Sequence, residues 1–81
     1  MLVKSILSKA IYKARKHLDK TQESISEMLC LSSKEYRNIE NGKSLPLFDT
    51  LLRLRMVLKI DINSICDEII KAGYHIEDKI K

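Results

Sequence analysis

The amino-acid sequence predicts a small all-α domain built from five helices, and three observations support this prediction. Apolar residues recur every three to four positions in five separate stretches, which is the pattern of a helix with one buried face. The 81 residues include only two glycines and one proline, too few for the many tight turns of an all-β domain. Residues that begin and end helices separate the stretches, and the length suits one domain.

The first helix is predicted from Leu2 to His17, with apolar residues on one face and lysines on the other. Lys16 and His17 suit its C-terminal end, where the helix dipole is negative. Thr21 is a good N-cap for a second helix from Gln22 to Leu29. The residues expected to point inward from this second helix are Ile25, Met28 and Leu29.

A third, shorter helix is predicted to begin after Ser32 and to end at Asn41-Gly42. Glu35 stands three positions after Ser32, which is the spacing of a capping box. Asn-Gly is a strong stop signal, because glycine readily adopts the left-handed conformation that ends many helices. The residues expected to be buried from this helix are Tyr36 and Ile39.

Two further helices complete the predicted domain. The fourth spans about Phe48 to Leu58 and follows an extended segment, because the residue before Pro46 avoids the helical conformation. The fifth spans about Ile62 to Ala72, carries a continuous apolar stripe and ends at Gly73. The chain is therefore expected to form a single domain, residues 1–81, with a core at about 5–72 and a short charged tail at 73–81.

The charge and the cysteine spacing restrict the class of protein. A net charge of +4 and a pI near 9.2 permit nucleic-acid binding without establishing it. Cys30 and Cys66 lack the spacing of a metal site and are expected to be buried, reduced thiols. No apolar run approaches the roughly 20 residues that a membrane span needs. Lysines interrupt the apolar N-terminus, so a signal peptide is not expected and the sequence predicts a soluble, cytoplasmic protein.

Catalytic motifs are not visible in the sequence. It contains no glycine-rich phosphate loop, no nucleophile elbow and no pair of carboxylates with the spacing of an acid–base site. His17 and His75 stand alone, without a neighbouring pattern of metal ligands. We therefore expect no enzymatic activity, no cofactor and no metal.

The second and third helices, joined by a tight turn, have the arrangement of a helix-turn-helix. From about Ile11 to Ile65 the chain resembles the Cro/C1-type (Xre) family of phage and bacterial repressors. Several features occur in register: Arg15 seven residues before Gln22, the Ile-Glu-Asn-Gly-Lys block at 39–43, Pro46 four residues after the glycine, and a leucine-rich fourth helix. The resemblance implies a five-helix, lambda-repressor-like DNA-binding domain.

In this family the Arg of the first helix pairs with the Glu near the end of the third, and the resemblance places this ion pair at Arg15 and Glu40. A Glu beside a core residue is costly to bury alone, but the guanidinium fork of an Arg can satisfy it with two hydrogen bonds. We expect this pair to be structural and to set the angle of the third helix.

The resemblance also implies a DNA-binding surface along the third helix. Lys34 and Arg37 can donate to guanine, and Asn38 can pair with adenine. Gln22 matches a glutamine that contacts phosphate in the family, and Lys43 with the backbone amides after the turn is expected to do the same. The residues expected to bind DNA are Gln22, Ser32, Ser33, Lys34, Arg37, Asn38, Asn41 and Lys43.

Glu35 has three possible roles, of which we prefer the first. Its carboxylate can complete the capping box on Ser32, accept a hydrogen bond from a cytosine amino group, or pair with a nearby lysine.

Four residues depart from the family pattern. Arg55 stands where Ala is usual, and its stem is expected to pack while its charged head reaches water. Cys30 stands where the turn usually has Gly, so the backbone there either takes a modest strain or forms a slightly different turn. Ser26 replaces an Ala between the two motif helices, and its hydroxyl can bond back to the preceding turn. Leu47 replaces a Ser or Thr cap, so the start of the fourth helix is expected to be weakly capped.

Three functions fit this sequence. The first is a sequence-specific transcriptional regulator, most simply a repressor, that binds double-stranded DNA as a homodimer on a palindromic site. The second is an antitoxin-like or accessory protein that also binds a protein partner through the tail, residues 74–81. The third is a helical adaptor that binds only protein. The apolar residues expected either to form dimer contacts or to belong to the monomer core are Ile69, Ile70, Tyr74 and Ile76.

Overall fold

The computed structural model describes residues 2–76, and these residues form five helices and no strand. This confirms the predicted all-α class. The helices are α1 (Leu2–His17), α2 (Gln22–Met28), α3 (Ser33–Glu40), α4 (Phe48–Leu58) and α5 (Ile62–Lys71). The bounds of α1 and α4 agree with the prediction, and α2 and α5 each end one residue earlier than predicted. Of the predicted tail, residues 77–81 lie outside the described residues.

Side-chain caps fix the starts of α2 and α3. The backbone N–H of Ser24 donates to Thr21 Oγ1 at 3.0 Å, and that of Glu35 donates to Ser32 Oγ at 3.0 Å. The reciprocal half of the predicted capping box is absent, since the Glu35 carboxylate makes no hydrogen bond to Ser32 in the described structure. The capping interpretation of Glu35 is therefore wrong.

The start of α4 has no side-chain cap, whereas the start of α5 has one. Leu47 provides no side-chain hydrogen bond to α4, as expected for an apolar residue at that position. Asp61 caps α5, a role that the sequence interpretation overlooked, by accepting the Ser64 N–H at 3.1 Å and the Ser64 hydroxyl at 2.9 Å. The hydrogen bond from the Ser64 backbone, together with that from its hydroxyl, lowers the pKa of the Asp61 carboxyl.

One core lies among the five helices, with α1 packed against α3, α4 and α5. The side chains that are fully buried in it are Ile11, Ile25, Leu29, Tyr36 and Leu54. Because α1 contacts three other helices, it anchors the helix-turn-helix to the rest of the domain. No helix within residues 2–76 is both long and apolar enough to cross a membrane.

The buried face of α2 differs from the prediction at one position. Met28 was expected to point inward but is 49% exposed, whereas Ser26 is buried. The buried side of α2 and its C-cap consists of Ile25, Ser26 and Leu29. Because Ser26 is polar, the pattern of apolar residues did not indicate that this side faces the core. The Ser26 hydroxyl donates to Glu23 O at 2.7 Å, the expected bond to the preceding turn, which satisfies this buried group.

The expected burial of the two cysteines is also wrong. Cys30 and Cys66 are both free and both exposed. Cys30 lies in the turn after α2, and Cys66 lies on an outward-facing position of α5, where Ile65 is the buried residue instead.

The φ angle of Cys30 is +58°, the left-handed conformation that glycine adopts more readily. We expect Cys30→Gly to raise the free energy of unfolding by about 1 kcal/mol. The left-handed region costs an L-residue roughly 1–2 kcal/mol, which glycine avoids. Part of this gain is offset because glycine has more conformational freedom to lose when the chain folds. Urea denaturation measures the change. Cys66→Gly, within α5, is the matched control and should lower the free energy of unfolding by roughly a few tenths of a kcal/mol, the difference between the helix propensities of Cys and Gly. Equal losses from both substitutions would contradict the strain at Cys30.

Candidate nucleic-acid interface

The turn between α2 and α3 has a defined hydrogen-bonding pattern. The Leu31 N–H donates to Ser26 O at 2.9 Å, and the Cys30 N–H donates to Glu27 O at 3.1 Å. With Cys30 left-handed, these two bonds form a Schellman motif, which usually has a glycine at this position. The motif stops α2 sharply and lets α3 begin at Ser33, packed across α2.

The turn after α3 repeats this pattern with a glycine. Gly42 has φ +77° and donates its N–H to Ile39 O at 3.2 Å, while the Lys43 N–H donates to Asn38 O at 2.8 Å. The Ser44 N–H also donates to Asn38 O, at 3.2 Å. The N–H groups of Gly42, Lys43 and Ser44 are therefore engaged within the protein, and the expectation that the backbone after the turn meets phosphate is wrong for these three amides. Only the side chain of Lys43 is exposed for such a contact.

Behind α3, the side chains of Arg15 and Glu40 form a bidentate ion pair. Arg15 Nε lies 2.6 Å from Glu40 Oε1, and Arg15 Nη2 lies 3.1 Å from Glu40 Oε2. The two side chains are 11% and 3% exposed. Arg15 Nη1 also donates to Lys20 O at 2.8 Å, so the guanidinium joins α1, the α1–α2 connection and the end of α3.

Two further donors complete the environment of Glu40. The Tyr36 hydroxyl donates to Glu40 Oε1 at 2.8 Å, and Gln22 Nε2 donates to Glu40 Oε2 at 2.7 Å. We call the four residues Arg15, Gln22, Tyr36 and Glu40 the Glu40 cluster. It links α1, α2 and α3 through one carboxylate, and each carboxylate oxygen accepts two hydrogen bonds.

The pKa values of the cluster reflect this arrangement. Burial alone raises the pKa of the Glu40 carboxyl, but the hydrogen bonds from Arg15, Gln22 and Tyr36 outweigh it and hold that pKa below its ordinary value. The hydrogen bond to Glu40 raises the pKa of Arg15 against the opposing effect of burial. Burial, followed by the hydrogen bond to Glu40, raises the pKa of the Tyr36 hydroxyl. Glu40 and Arg15 are therefore both charged at neutral pH, and Tyr36 is protonated.

This depressed pKa makes stability depend on pH. Because the pKa of Glu40 is lower in the folded than in the unfolded state, its contribution is complete above the unfolded value near 4.5 and is lost as the pH falls through the folded value. We expect the free energy of unfolding of wild type to exceed that of Glu40→Gln at pH 7, and the difference to shrink at pH 3. Denaturant titrations of both proteins at the two pH values measure this. An identical difference at both values would contradict the ionised, clustered carboxylate.

The residues predicted to read base pairs lie together on the outer side of α3. Lys34, Arg37 and Asn41 are exposed, and Ser33 and Asn38 are partly exposed. On the opposite side of α3, Tyr36 and Ile39 are buried in the core. The structure thus brings these five polar side chains onto one helical face.

Three of the side chains predicted to bind DNA already have partners within the protein. Arg37 Nη1 lies 3.9 Å from Glu23 Oε2, in an exposed ion pair that stabilises little and that another anion can replace. Gln22 gives one N–H of its amide to Glu40, and an amide carries two, so a second donor is left for a phosphate. Ser32 is exposed at the start of α3, where its hydroxyl already caps the helix.

Sequence reasoning missed two members of the Glu40 cluster. Tyr36 was interpreted only as a core residue, although its position four residues before Glu40 places the two side chains on neighbouring turns of α3. Gln22 was interpreted only as a phosphate contact, and no sequence pattern indicated that it meets Glu40.

Two short helices joined by a sharp turn, with the second exposing a continuous polar face, define a helix-turn-helix domain. Residues 8–70 match the family described as helix-turn-helix domain, so the chain belongs to that family, as the Cro/C1-type resemblance indicated. No solved structure gave a significant match.

The chain is also similar to the cryptic phage CTXphi transcriptional repressor RstR of Vibrio cholerae serotype O1 (strain ATCC 39315 / El Tor Inaba N16961). The two are 31% identical over 52 residues, which cover 64% of this chain and 46% of RstR. The matched segment therefore spans about half the length of that curated relative.

Proposed function

We propose that this protein is a sequence-specific transcriptional repressor that inserts α3 into the major groove of double-stranded DNA. The observation that carries the proposal is the polar face of α3, which is exposed while the opposite side of the same helix is fixed by the Glu40 cluster. A side chain can discriminate between bases only if its helix is held at a fixed angle to the groove. The family membership and the similarity to a phage repressor support the same function.

Base recognition falls to the long donors of α3. The guanidinium of Arg37 and the ammonium of Lys34 are suited to guanine O6 and N7, and the amide of Asn38 is suited to adenine N6 and N7. Ser33, near the start of α3, is short and reaches only a base or phosphate that comes close. In the complex, Arg37 leaves its 3.9 Å contact with Glu23 and bonds to a base instead. Breaking this ion pair costs little free energy because both side chains are exposed.

Phosphate contacts position α3 on both sides. Gln22 begins α2 and Lys43 follows α3, so the two residues flank the polar face along the helix-turn-helix. The amide of Gln22 also touches Glu40, so a phosphate bound there is connected to the ion pair that fixes α3. Asn41, at the C-terminal cap of α3, is exposed beside Lys43 and completes this edge.

We also propose that the protein acts as a homodimer on a palindromic operator in the cytoplasm. One α3 covers one half-site, and a two-fold axis places the second α3 about one helical turn of DNA away, roughly 34–36 Å. Ile70 and Ile76 are 61% and 63% exposed and offer apolar surface for the dimer contact, whereas Ile69 packs against the core.

Selection of bound fragments from random double-stranded DNA tests this function. The expected result is one enriched motif with two-fold symmetry, bound with an affinity that falls steeply as salt rises. Absence of an enriched motif, or an affinity independent of salt, would overturn the proposal and favour an adaptor that binds only protein.

A further inference from the structure

The positive charge of the chain is concentrated in α1. This helix carries five of the 15 Lys and Arg residues and none of the 11 Asp and Glu residues. The rest of the chain therefore has ten basic and 11 acidic side chains, a net charge of −1. Arg15 is paired with Glu40, which leaves four lysines of α1 as an excess of positive charge outside the helix-turn-helix that favours the approach of DNA.

The first turns of α1 lie against the turn that follows α3. Lys4 Nζ lies 3.4 Å from the carbonyl oxygen of Lys43. The approach is also close at Gly42, where a Cβ atom would lie 3.3 Å from Ser8 Oγ and 3.7 Å from Lys4 O. Lys4 is thus held beside Lys43, at the edge of the proposed phosphate contact.

Among the described residues, neither lysine has an acidic partner. Within residues 2–76 the ion pairs are Arg15–Glu40, Arg37–Glu23 and Arg53–Asp49, and they include neither Lys4 nor Lys43. An ammonium group has three N–H donors, and Lys4 gives only one to the Lys43 carbonyl. Two cationic side chains at one edge, unpaired with any carboxylate of residues 2–76, favour the binding of an anion there.

We propose that Lys4 and Lys43 together bind the phosphodiester backbone of DNA, so that the DNA contact extends from the turn after α3 onto the first turn of α1. The inference rests on the proposed DNA-binding function and adds a contact outside the helix-turn-helix. The ammonium of Lys4 donates to a non-bridging phosphate oxygen next to the one bound by Lys43. Such a contact strengthens binding to all sequences alike, because phosphates carry no base identity.

The salt dependence of binding tests this contact. The logarithm of the association constant falls linearly with the logarithm of salt concentration, with a slope of about −0.9 per neutralised phosphate on B-DNA. We expect Lys4→Gln and Lys43→Gln each to make this slope shallower by about 0.9, on both a selected site and an unrelated duplex. Lys71→Gln, in the last turn of α5, removes the same charge and is expected to leave the slope unchanged, and Lys4→Arg should retain the wild-type slope.

The outcomes separate this inference from the proposed function. If Lys43→Gln reduces the slope but Lys4→Gln does not, the contact at α1 is wrong and the proposed function stands. If Lys71→Gln reduces the slope as much as Lys4→Gln, the effect comes from net charge and the contact is likewise wrong. If the wild-type protein binds no DNA under any salt condition, the proposed function itself fails.

Discussion

Replacing Glu40 with alanine is expected to lower the free energy of unfolding by about 3–5 kcal/mol, because the substitution leaves a buried guanidinium without its carboxylate. The substitution also leaves the Tyr36 hydroxyl without its acceptor, because this hydroxyl donates to the Glu40 carboxylate at 2.8 Å and its side chain is fully buried. A small domain has a total stability of only about 5–15 kcal/mol, so this single change removes a large part of it. Equilibrium denaturation in urea measures the difference.

The matched control is an ion pair at the surface. Asp49 and Arg53 lie 3.1 Å apart on α4, but their side chains are 64% and 43% exposed. Asp49→Ala is therefore expected to cost only a few tenths of a kcal/mol. The double variant Arg15→Met with Glu40→Leu removes both buried charges and should be more stable than Glu40→Ala alone. A Glu40→Ala protein no less stable than Asp49→Ala would show that the cluster does not hold α3.

The substitution Arg37→Ala is expected to weaken binding to the selected DNA site by about 1–3 kcal/mol and to blur the base preference at one position of each half-site. The physical reason is that a guanidinium in the major groove bonds to two atoms of guanine, which no other base pair presents in the same arrangement. Affinities for the selected site and for its single-base variants, measured at one salt concentration, give both quantities.

Two variants separate base recognition from general attraction to DNA. Lys43→Gln should weaken binding to all sequences by a similar factor, because the proposed partner of Lys43 is a phosphate and not a base. Glu23→Ala removes the exposed partner of Arg37, 3.9 Å away, and should leave the base preference intact. If Arg37→Ala weakens all sequences alike, Arg37 contacts the backbone and the assignment of the reading face is wrong.

Local signals predicted much of this fold. The bounds of α1 and α4, the caps at Thr21 and Ser32, and the stop at Gly42 all agree with the structure. Each depends on residues within one helical turn of one another, so the sequence contains the whole interaction. The family's usual Gly at position 30 also predicted the backbone there. The turn requires a left-handed conformation, and Cys30 adopts it although it is not a glycine.

Packing explains where the predictions failed. Met28 is exposed because α2 turns Ser26 toward its neighbours, and an apolar pattern cannot rank a buried serine above an exposed methionine. The amides of Lys43 and Ser44 are unavailable to phosphate because the turn folds back onto Asn38. The burial of Ser26 depends on which neighbouring helix covers α2, which the residues of α2 alone do not reveal. The bonds to Asn38 O are local instead, and they follow from the turn at Gly42.

The sequence by itself determined the five helices, the positions of their ends to within one residue and the polar residues of α3, since spacing and capping chemistry are properties of adjacent residues. Family resemblance placed Arg15 opposite Glu40. Only the tertiary structure decided that Gln22 and Tyr36 join the same carboxylate, and that Lys4 lies beside Lys43. Gln22 reaches Glu40 only because α2 packs against α3, and Lys4 reaches Lys43 only because α1 packs against α3. Tyr36 lies on the same helix as Glu40, one turn away, but the spacing alone does not show that its hydroxyl turns to the carboxylate.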